Sequence, residues 1–141
     1  MSEMNQQLRR HSVALISLVV ALSSLGYNTW RNERTEANRN VRTAGIQLLL
    51  TLGELDQVVF FSHYDMDQER GSPRAGWAYV LTITDLASLT SEQVDESSRA
   101  LFDAWQSSWA GLGSDDASEA RISGRIADLR RETLAALAAL D

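Results

Sequence analysis

A long apolar run stands near the start of the chain. Residues 12–30 contain no charged side chain, and residues 13–22 are almost entirely aliphatic. About 20 helical residues cross the hydrocarbon layer of a membrane, and amphipathic aromatic rings favour the headgroup level at its edge. The pattern predicts a transmembrane helix anchored by Val13, Leu15, Ile16, Leu18, Val19, Val20, Leu22, Tyr27 and Trp30.

Two other interpretations of this run are open. A secretory signal peptide has a similar basic and apolar pattern, and Ser24-Leu-Gly26 offers small residues for cleavage. The uncharged run continues past that point to Trp30, which favours an anchor that is not cleaved. A buried helix of a soluble domain would normally carry a polar stripe, which this run lacks.

Arginines on both sides of the run bear on its orientation. Arg9 and Arg10 precede it directly, and four more arginines follow between residues 31 and 42. The positive-inside count alone keeps the C-terminal side in the cytoplasm, but large domains translocate largely regardless of their charge. We expect a single-pass protein of the bacterial inner membrane, with its N-terminus inside and its C-terminal domain in the periplasm.

The chain after the run divides into a polar and an amphipathic part. Residues 31–40 carry no large apolar side chain and suit a solvated helical stalk, whereas apolar residues return from Val41 to Phe61. The first helix is therefore expected to run from Ser12 to His63. The predicted organisation is a short tail (1–11), a transmembrane helix (12–30), a stalk (31–40) and a helical domain (41–141).

Start signals predict three further helices; apolar residues fit helical spacing moderately in the first of them and fall on one face in the other two. The signals are Ser72-Pro73, a capping box at Thr90-Ser-Glu-Gln93, and Ser114-Asp-Asp116; Gly111 and Gly113 are expected to end the third helix. The predicted apolar face is Val94, Leu101, Phe102, Trp105, Trp109 and Leu112 in the third helix, and Ile122, Ile126, Leu129, Thr133, Leu137 and Leu140 in the fourth.

Residues 57–84 admit a second interpretation. Residues 79–84 alternate apolar and polar side chains, so with residues 58–61 they suit a β-hairpin. We favour a helix, because the segment continues smoothly into residues 85–89. The predicted fold is therefore all-α: a single N-terminal transmembrane helix that continues into an antiparallel up-down four-helix bundle. Over residues 31–141 this layout resembles the membrane-anchored four-helix sensory modules of bacterial receptors.

Composition removes several kinds of chemistry. The chain has 141 residues, no cysteine and a net charge of −6, and each of its 13 basic residues is an arginine. The absence of cysteine excludes thiolate metal sites and thiol catalysis, and the absence of lysine excludes Schiff-base chemistry. An acidic chain is also a poor nucleic-acid binder. We therefore expect neither an enzyme nor a cofactor-binding protein, and no nucleic acid as a partner.

Three groups of side chains are candidate sites. His63 and Asp67, four residues apart, are weak candidates for a metal, and the more ordinary interpretation is a solvated loop after a helix end. An aromatic group and two arginines are candidates for a small-ligand site between helices: Trp77, Tyr79, Phe102, Trp105, Trp109, Arg70 and Arg74. The same aromatic residues also suit an ordinary core or a partner surface.

These observations favour an interaction module. We expect a non-catalytic scaffold or accessory subunit held in the lipid bilayer, which binds another membrane or periplasmic protein or associates with itself. The alternative is a sensor-like bundle that binds a small ligand and signals through a membrane partner, because 11 residues before the span are too few for an output domain.

Overall fold

The structure is all-helical. It is a computed structural model that describes residues 2–140, with side chains from residue 14 onward. The helices are α1 (Ser2–His63), α2 (Pro73–Ala87), α3 (Glu92–Ser108) and α4 (Asp116–Ala138), with a 3-10 turn at Trp109–Gly111. No strand occurs in residues 2–140, so the predicted all-α class is confirmed and the hairpin interpretation of residues 57–84 is wrong.

The first helix begins earlier than predicted. α1 starts at Ser2 instead of Ser12, and it ends at His63 as predicted. The additional residues include Glu, Gln, Leu and Arg and no glycine or proline, so nothing in them stops a helix. The side chain of Val13, one of the predicted anchor residues, lies outside the part of the chain that the structure describes.

Two compact units divide the chain, Met1–Ala37 and Asn38–Asp141. In the first unit the apolar run is exposed along its described length. Its large aliphatic side chains are between 55% and 65% exposed: Leu15, Ile16, Leu18, Val19, Val20, Leu22 and Leu25. The Tyr27 and Trp30 ring centroids lie 6.2 Å apart, and the Arg34 guanidinium lies 5.8 Å from the centroid of the Trp30 ring.

Of the helices described, α1 is the one long and apolar enough to cross a membrane. An 18-residue stretch of it reaches a mean hydropathy of 1.3, and 44% of that stretch is buried. Residues 14–30 are all exposed, so this stretch belongs to the part of α1 that contributes to a protein core. The two apolar parts of α1 therefore have different surroundings, one packed and the other bare.

The second unit has one hydrophobic core to which all four helices contribute. Its buried members are Leu48, Leu52, Leu55, Val58, Val59, Val80, Ile83, Ala87, Val94, Leu101, Trp105, Leu112, Ile122, Ile126 and Leu129. The predicted faces of α3 and α4 supply much of this core, although Phe102, Leu137 and Leu140 are only half-buried and Trp109 is 38% exposed.

Side-chain caps fix two of the helix starts. Pro73 is the first residue of α2 after Ser72, as predicted, but the Ser72 side chain makes no capping hydrogen bond. At the start of α4, the Asp115 carboxylate accepts hydrogen bonds from the backbone N–H groups of Ala117 and Ser118 at 3.3 and 3.0 Å. This carboxylate satisfies donors that have no partner inside the helix.

The capping box predicted at residues 90–93 is wrong by one position. Ser91 caps α3, and its hydroxyl accepts a hydrogen bond from the backbone N–H of Val94 at 3.4 Å. The Thr90 hydroxyl instead donates to the carbonyl oxygen of Ala87 at 2.7 Å. Thr90 is thus part of the turn that ends α2, which makes the next residue the cap of α3.

Three polar contacts join α1 to α4 and to the residues that follow α4. Along α1 and α4 they join Arg42 to the carbonyl oxygen of Leu140 at 3.1 Å, Asp56 to Arg130 at 3.4 Å, and His63 to Asp116 at 3.2 Å. α3 packs against both α2 and α4. Gly76 of α2 lies directly against the Trp105 ring, where a Cβ atom would overlap the indole.

Candidate functional site

The predicted aromatic group is divided between the core and the surface. The rings of Trp77, Phe102 and Trp105 pack edge to face, with centroids 5.7 Å apart for Trp77–Phe102 and 6.4 Å apart for Trp77–Trp105. Trp105 is fully buried, and its Nε1 finds no hydrogen-bond partner among the described residues. Tyr79 is half-buried against the same core. Trp105 thus belongs to the core, and the other three rings pack against it.

Trp109 belongs to a different place. It lines an open cleft of about 490 Å³ between the loop after α1 and the 3-10 turn, together with Ser62, Met66, Asp67 and Gly113. Met66 is 75% exposed and has a φ of 51°, a left-handed conformation that is uncommon for a residue with a side chain. The structure therefore separates Trp109 from Trp77 and Trp105, its predicted companions in a ligand site.

The loop after α1 folds around Asp67. The Asp67 carboxylate accepts hydrogen bonds from the backbone N–H groups of Glu69 and Arg70, both at 3.0 Å, and from the Arg70 guanidinium at 2.7 Å. These hydrogen bonds from Arg70, the backbone one first, lower the pKa of Asp67 below its ordinary value of 3.8. The Arg70 guanidinium also lies 4.2 Å from the centroid of the Phe61 ring.

The candidate arginines therefore differ in their surroundings. Arg70 is engaged by Asp67 and Phe61, whereas Arg74 is exposed on the first turn of α2. A guanidinium that already holds a carboxylate at hydrogen-bond distance has less capacity for a second anion. The geometry makes the Asp67–Arg70 pair a loop-forming contact.

His63 joins the end of α1 to the start of α4. Its Nδ1 lies 2.8 Å from the carbonyl oxygen of Leu112, which can only accept, so Nδ1 donates. Its Nε2 lies 3.2 Å from Oδ1 of Asp116. Both ring nitrogens therefore face protein oxygens, while Asp67, the other metal candidate, faces Arg70.

The described side chains contain no cluster of three or more histidine, aspartate or glutamate residues able to hold a metal ion. His63 and Asp67 are engaged by different partners, Asp116 and Arg70, and the structure does not bring their side chains to a shared point. The polar groups at the loop end of the domain close loops and cap helices.

The second unit carries exposed apolar side chains on the outer side of α1 and at Tyr64, the residue that follows it. These large side chains are half or more exposed: Ile46 51%, Leu50 60%, Phe60 50% and Tyr64 61%. Gly53 lies between them, with no atom within 4 Å of the position that a Cβ would occupy. The rings of Phe60 and Tyr64 stack at 5.4 Å between centroids. We call these five residues the α1 outer face.

A separate groove lies between α1 and the end of α2. The groove has a volume of about 550 Å³ and its lining includes Thr43, Gln47, Leu86 and Leu89, of which Leu89 is 62% exposed. Single exposed apolar residues are common on soluble proteins, but contiguous apolar patches mark interaction sites. The arrangement is chemically suited to contact with another apolar surface.

The α1 outer face was not among the predicted site residues, although its signal is present in the sequence. Apolar residues between residues 41 and 61 are too numerous for one helix face, and they follow two registers. The inner register contains Leu48, Leu52, Leu55 and Val59, while the outer face occupies the opposite side. A count of apolar residues per face would have found it.

Comparison with known proteins adds no relative. The sequence matches no protein-family model, and neither a curated protein nor a solved structure matches it.

Proposed function

We propose that this chain is a non-catalytic interaction subunit, a helical domain held at a bacterial inner membrane by a single N-terminal span, with the domain in the periplasm. The observation that carries the proposal is the exposed apolar run. Seven large aliphatic side chains between Leu15 and Leu25 are each more than half exposed. A patch of that size is rare on a soluble monomer and marks contact with lipid or protein.

The distribution of the run around its helix favours lipid as its environment. At 100° per residue, Leu15, Ile16, Leu18, Val19 and Val20 spread over more than half of the helix circumference. A helix that docks on one partner needs only a single apolar stripe, whereas one surrounded by lipid is apolar on most sides. The grouping of Tyr27, Trp30 and Arg34 suits the headgroup level.

We further propose that the second unit is an antiparallel up-down four-helix bundle. The supporting contacts join the early part of α1 to the end of α4, through Arg42 and Leu140, and the end of α1 to the start of α4, through His63 and Asp116. Between α2 and α3, Gly76 near the start of one helix lies against Trp105 near the end of the other.

The hydrogen bonds and packing of the candidate side chains favour a binding role over catalysis. The polar groups at the loop end act as caps or pairs, and the rings of Trp77, Phe102 and Trp105 pack in or against the core. What the domain presents to its surroundings is the α1 outer face and the separate groove between α1 and the end of α2. An accessory or scaffold subunit needs such a surface and no reactive group.

A cross-linking experiment in intact membranes tests the proposal. Because the chain has no cysteine, a single Phe60→Cys substitution carries a photoreactive thiol reagent on the outer face, and Ala127→Cys on exposed α4 is the matched control. We expect a protein adduct from residue 60 and little from residue 127. Equal yields, or no adduct from either position, would contradict an interaction role.

Thiol labelling tests the orientation. Single cysteines at Ser2 and Ser114 are treated with an impermeant reagent after the outer membrane has been opened. A periplasmic domain predicts labelling at position 114 and none at position 2 until the inner membrane is dissolved. Labelling of position 2 alone would place the domain in the cytoplasm.

A further inference from the structure

We infer that one side of α1, formed by Tyr27, Trp30, Arg31 and Arg34, binds the phosphate headgroup of an anionic phospholipid. We call these four residues the headgroup face. The inference rests on the proposed function, since it names a ligand for the end of the proposed membrane span. Three observations support it: the register of the four residues, the absence of carboxylate partners for the two arginines, and the place of the face along the chain.

The headgroup face is a continuous helical stripe. Its residues stand at positions i, i+3, i+4 and i+7, which lie on one side of an α-helix. All four belong to the first compact unit and are exposed, Tyr27 at 60% and Trp30 at 56%. The uncharged run ends at Trp30, and Arg31 is the first charged residue after it. Two aromatic rings and two cations therefore share one side of the helix where a span would leave the hydrocarbon.

Trp30 contacts both Tyr27 and Arg34. The two ring centroids lie 6.2 Å apart, and the Arg34 guanidinium lies 5.8 Å from the centroid of the Trp30 ring. A guanidinium that packs on an aromatic ring keeps N–H donors along its edge. Phosphate oxygens accept hydrogen bonds from such an edge, often two at once. The Trp30 ring thus positions Arg34 and leaves it able to bind an anion.

The arginines of the headgroup face have no carboxylate partner. Among the residues that the structure describes, neither Arg31 nor Arg34 forms an ion pair, whereas five arginines of the second unit do: Arg70, Arg99, Arg125, Arg130 and Arg131. No acidic residue stands three or four positions before or after either arginine, where a helix brings side chains together. Glu33 and Glu36 lie roughly 110° and 170° from the centre of the face, at 100° per residue.

The two arginines also lie next to each other. Arg31 and Arg34 are three positions apart, a spacing at which like charges destabilise a helix. An anion between them would offset that repulsion and accept hydrogen bonds from both guanidinium groups. Because the described part of the chain offers no carboxylate on this side of α1, the anion has to come from outside the chain.

The place of the face favours a lipid phosphate over a soluble one. Residues 12–30 would span about 28 Å as a helix, close to the hydrocarbon thickness of about 30 Å. The residues just after such a span reach the layer of lipid phosphates. In the proposed orientation this end lies on the periplasmic side, where the positive-inside rule works against arginine. A phosphate ligand accounts for two arginines that this orientation does not require.

Fluorescence quenching of Trp30 tests the inference on the full chain in vesicles. Phosphatidylcholine vesicles receive the same small fraction of a lipid brominated in its acyl chains, either phosphatidylglycerol or phosphatidylcholine. Attraction to an anionic lipid surface is worth about fivefold in affinity per arginine, so we expect quenching of Trp30 to be at least about twofold stronger with brominated phosphatidylglycerol. The Trp30→Phe chain gives the signal of the other three tryptophans, which is subtracted.

Paired substitutions identify the arginines that are responsible. Arg31→Gln with Arg34→Gln should make quenching by the two brominated lipids equal. Arg99→Gln with Arg131→Gln is the matched control, since it removes the same charge from exposed side chains of the second unit and should keep the difference. Glutamine favours a helix about as well as arginine, so circular dichroism spectra should match in all three chains. Equal quenching in the wild type, or an equal loss in both variants, would overturn the inference.

Soluble phosphate supplies the second arm. Inorganic phosphate that replaces chloride at constant ionic strength should leave the difference between the two lipids unchanged, because the span keeps lipid headgroups at a high local concentration beside the face. If phosphate abolished the difference, the two arginines would bind a soluble anion and the lipid would be excluded.

The outcomes separate this inference from the proposed function. Equal quenching by both brominated lipids keeps the membrane span and excludes selection of an anionic headgroup. No quenching by either lipid overturns both, because Trp30 then lies away from the bilayer. Stronger quenching by brominated phosphatidylglycerol supports both, while the cross-linking at residue 60 tests the interaction role independently.

Discussion

At the scale of single residues, the packing of Gly76 on Trp105 sets the distance between α2 and α3. Both residues are buried, and a Cβ at position 76 would overlap the far edge of the indole. The Trp105 ring is fully buried and packs edge to face against Trp77, so it has little freedom to move away. Glycine at position 76 is therefore required by its neighbour and not by its own backbone.

We expect Gly76→Ala to destabilise the domain. Alanine normally favours a helix over glycine by about 1 kcal/mol, but overpacking here should cost roughly 1–3 kcal/mol. Gly124→Ala on α4 is the matched control, because nothing lies within 4 Å of its Cβ position, and it should stabilise. Urea unfolding in mild detergent, followed by circular dichroism, measures both. Stabilisation by both substitutions would contradict the close contact.

Trp105 itself supports a second prediction. Its buried indole N–H has no hydrogen-bond partner within the described part of the chain, and an unsatisfied buried donor costs about 1–3 kcal/mol. Trp105→Phe removes that donor and keeps an aromatic ring, so we expect a loss of roughly 1 kcal/mol, against about 3–5 kcal/mol for Trp105→Ala. The same unfolding measurement applies, and a loss above about 3 kcal/mol for Trp105→Phe would contradict an unpaired N–H, because it would exceed the repacking cost alone.

At this scale the sequence predicted that certain aromatic residues share one side of a helix, but it did not predict what that side contacts. The step of three and four between Phe102, Trp105 and Trp109 placed them on one side of a helix. That pattern is equally compatible with a ligand site, a core and a partner surface. The choice depends on which atoms of α2 lie opposite, and pairing between helices is not encoded in the local pattern of either.

At the scale of helices, the loops are defined by short-range hydrogen bonds. Asp115 caps α4, and hydrogen bonds from the Ser118 hydroxyl and from the backbone N–H groups of Ala117 and Ser118 lower its pKa below the ordinary 3.8. A carboxyl group whose pKa is lowered on folding stabilises the fold at pH values above its pKa in the unfolded state. This stabilisation is lost as the pH falls through the lower pKa that the group has in the folded state.

This capping predicts an acid-sensitive start of α4. The stability of the wild-type domain should decline as the pH falls below about 4. Asp115→Asn keeps a capping oxygen without a titrating group, so it should be less stable than wild type at neutral pH and show a weaker decline in acid. Asp115→Ala should be the least stable of the three at neutral pH. Melting temperatures at a series of pH values check the order, and parallel curves for wild type and Asp115→Asn would refute the assignment.

Helix boundaries were predictable where turn chemistry is strong. Ser72-Pro73 and Ser114-Asp-Asp116 marked the starts of α2 and α4, and His63 marked the end of α1. The error at Thr90 has a physical cause, because two neighbouring hydroxyls, Thr90 and Ser91, were both able to cap. The carbonyl of Ala87 engages the first, which leaves the second for α3.

At the scale of the whole molecule, the two apolar parts of α1 have different requirements. The part in the second unit buries Leu48, Leu52 and Leu55 in a core shared with three other helices. The earlier part leaves Leu18 and Leu22 about 55% and 60% exposed. Hydropathy alone does not distinguish these two parts, whereas burial does, because a protein core covers the second part and leaves the first part exposed.

The last prediction concerns the proposed membrane anchor. Leu18→Asp with Leu22→Asp places two carboxylates near the middle of the run, at about 2.5–3.5 kcal/mol each in a membrane-spanning helix. We expect this variant to leave the membrane pellet for the soluble fraction and to retain a helical domain. Leu81→Asp with Leu89→Asp adds the same charges to exposed leucines of the second unit and should remain in the pellet. If both variants stayed in the pellet, the domain surface and not the apolar run would hold the chain at the membrane.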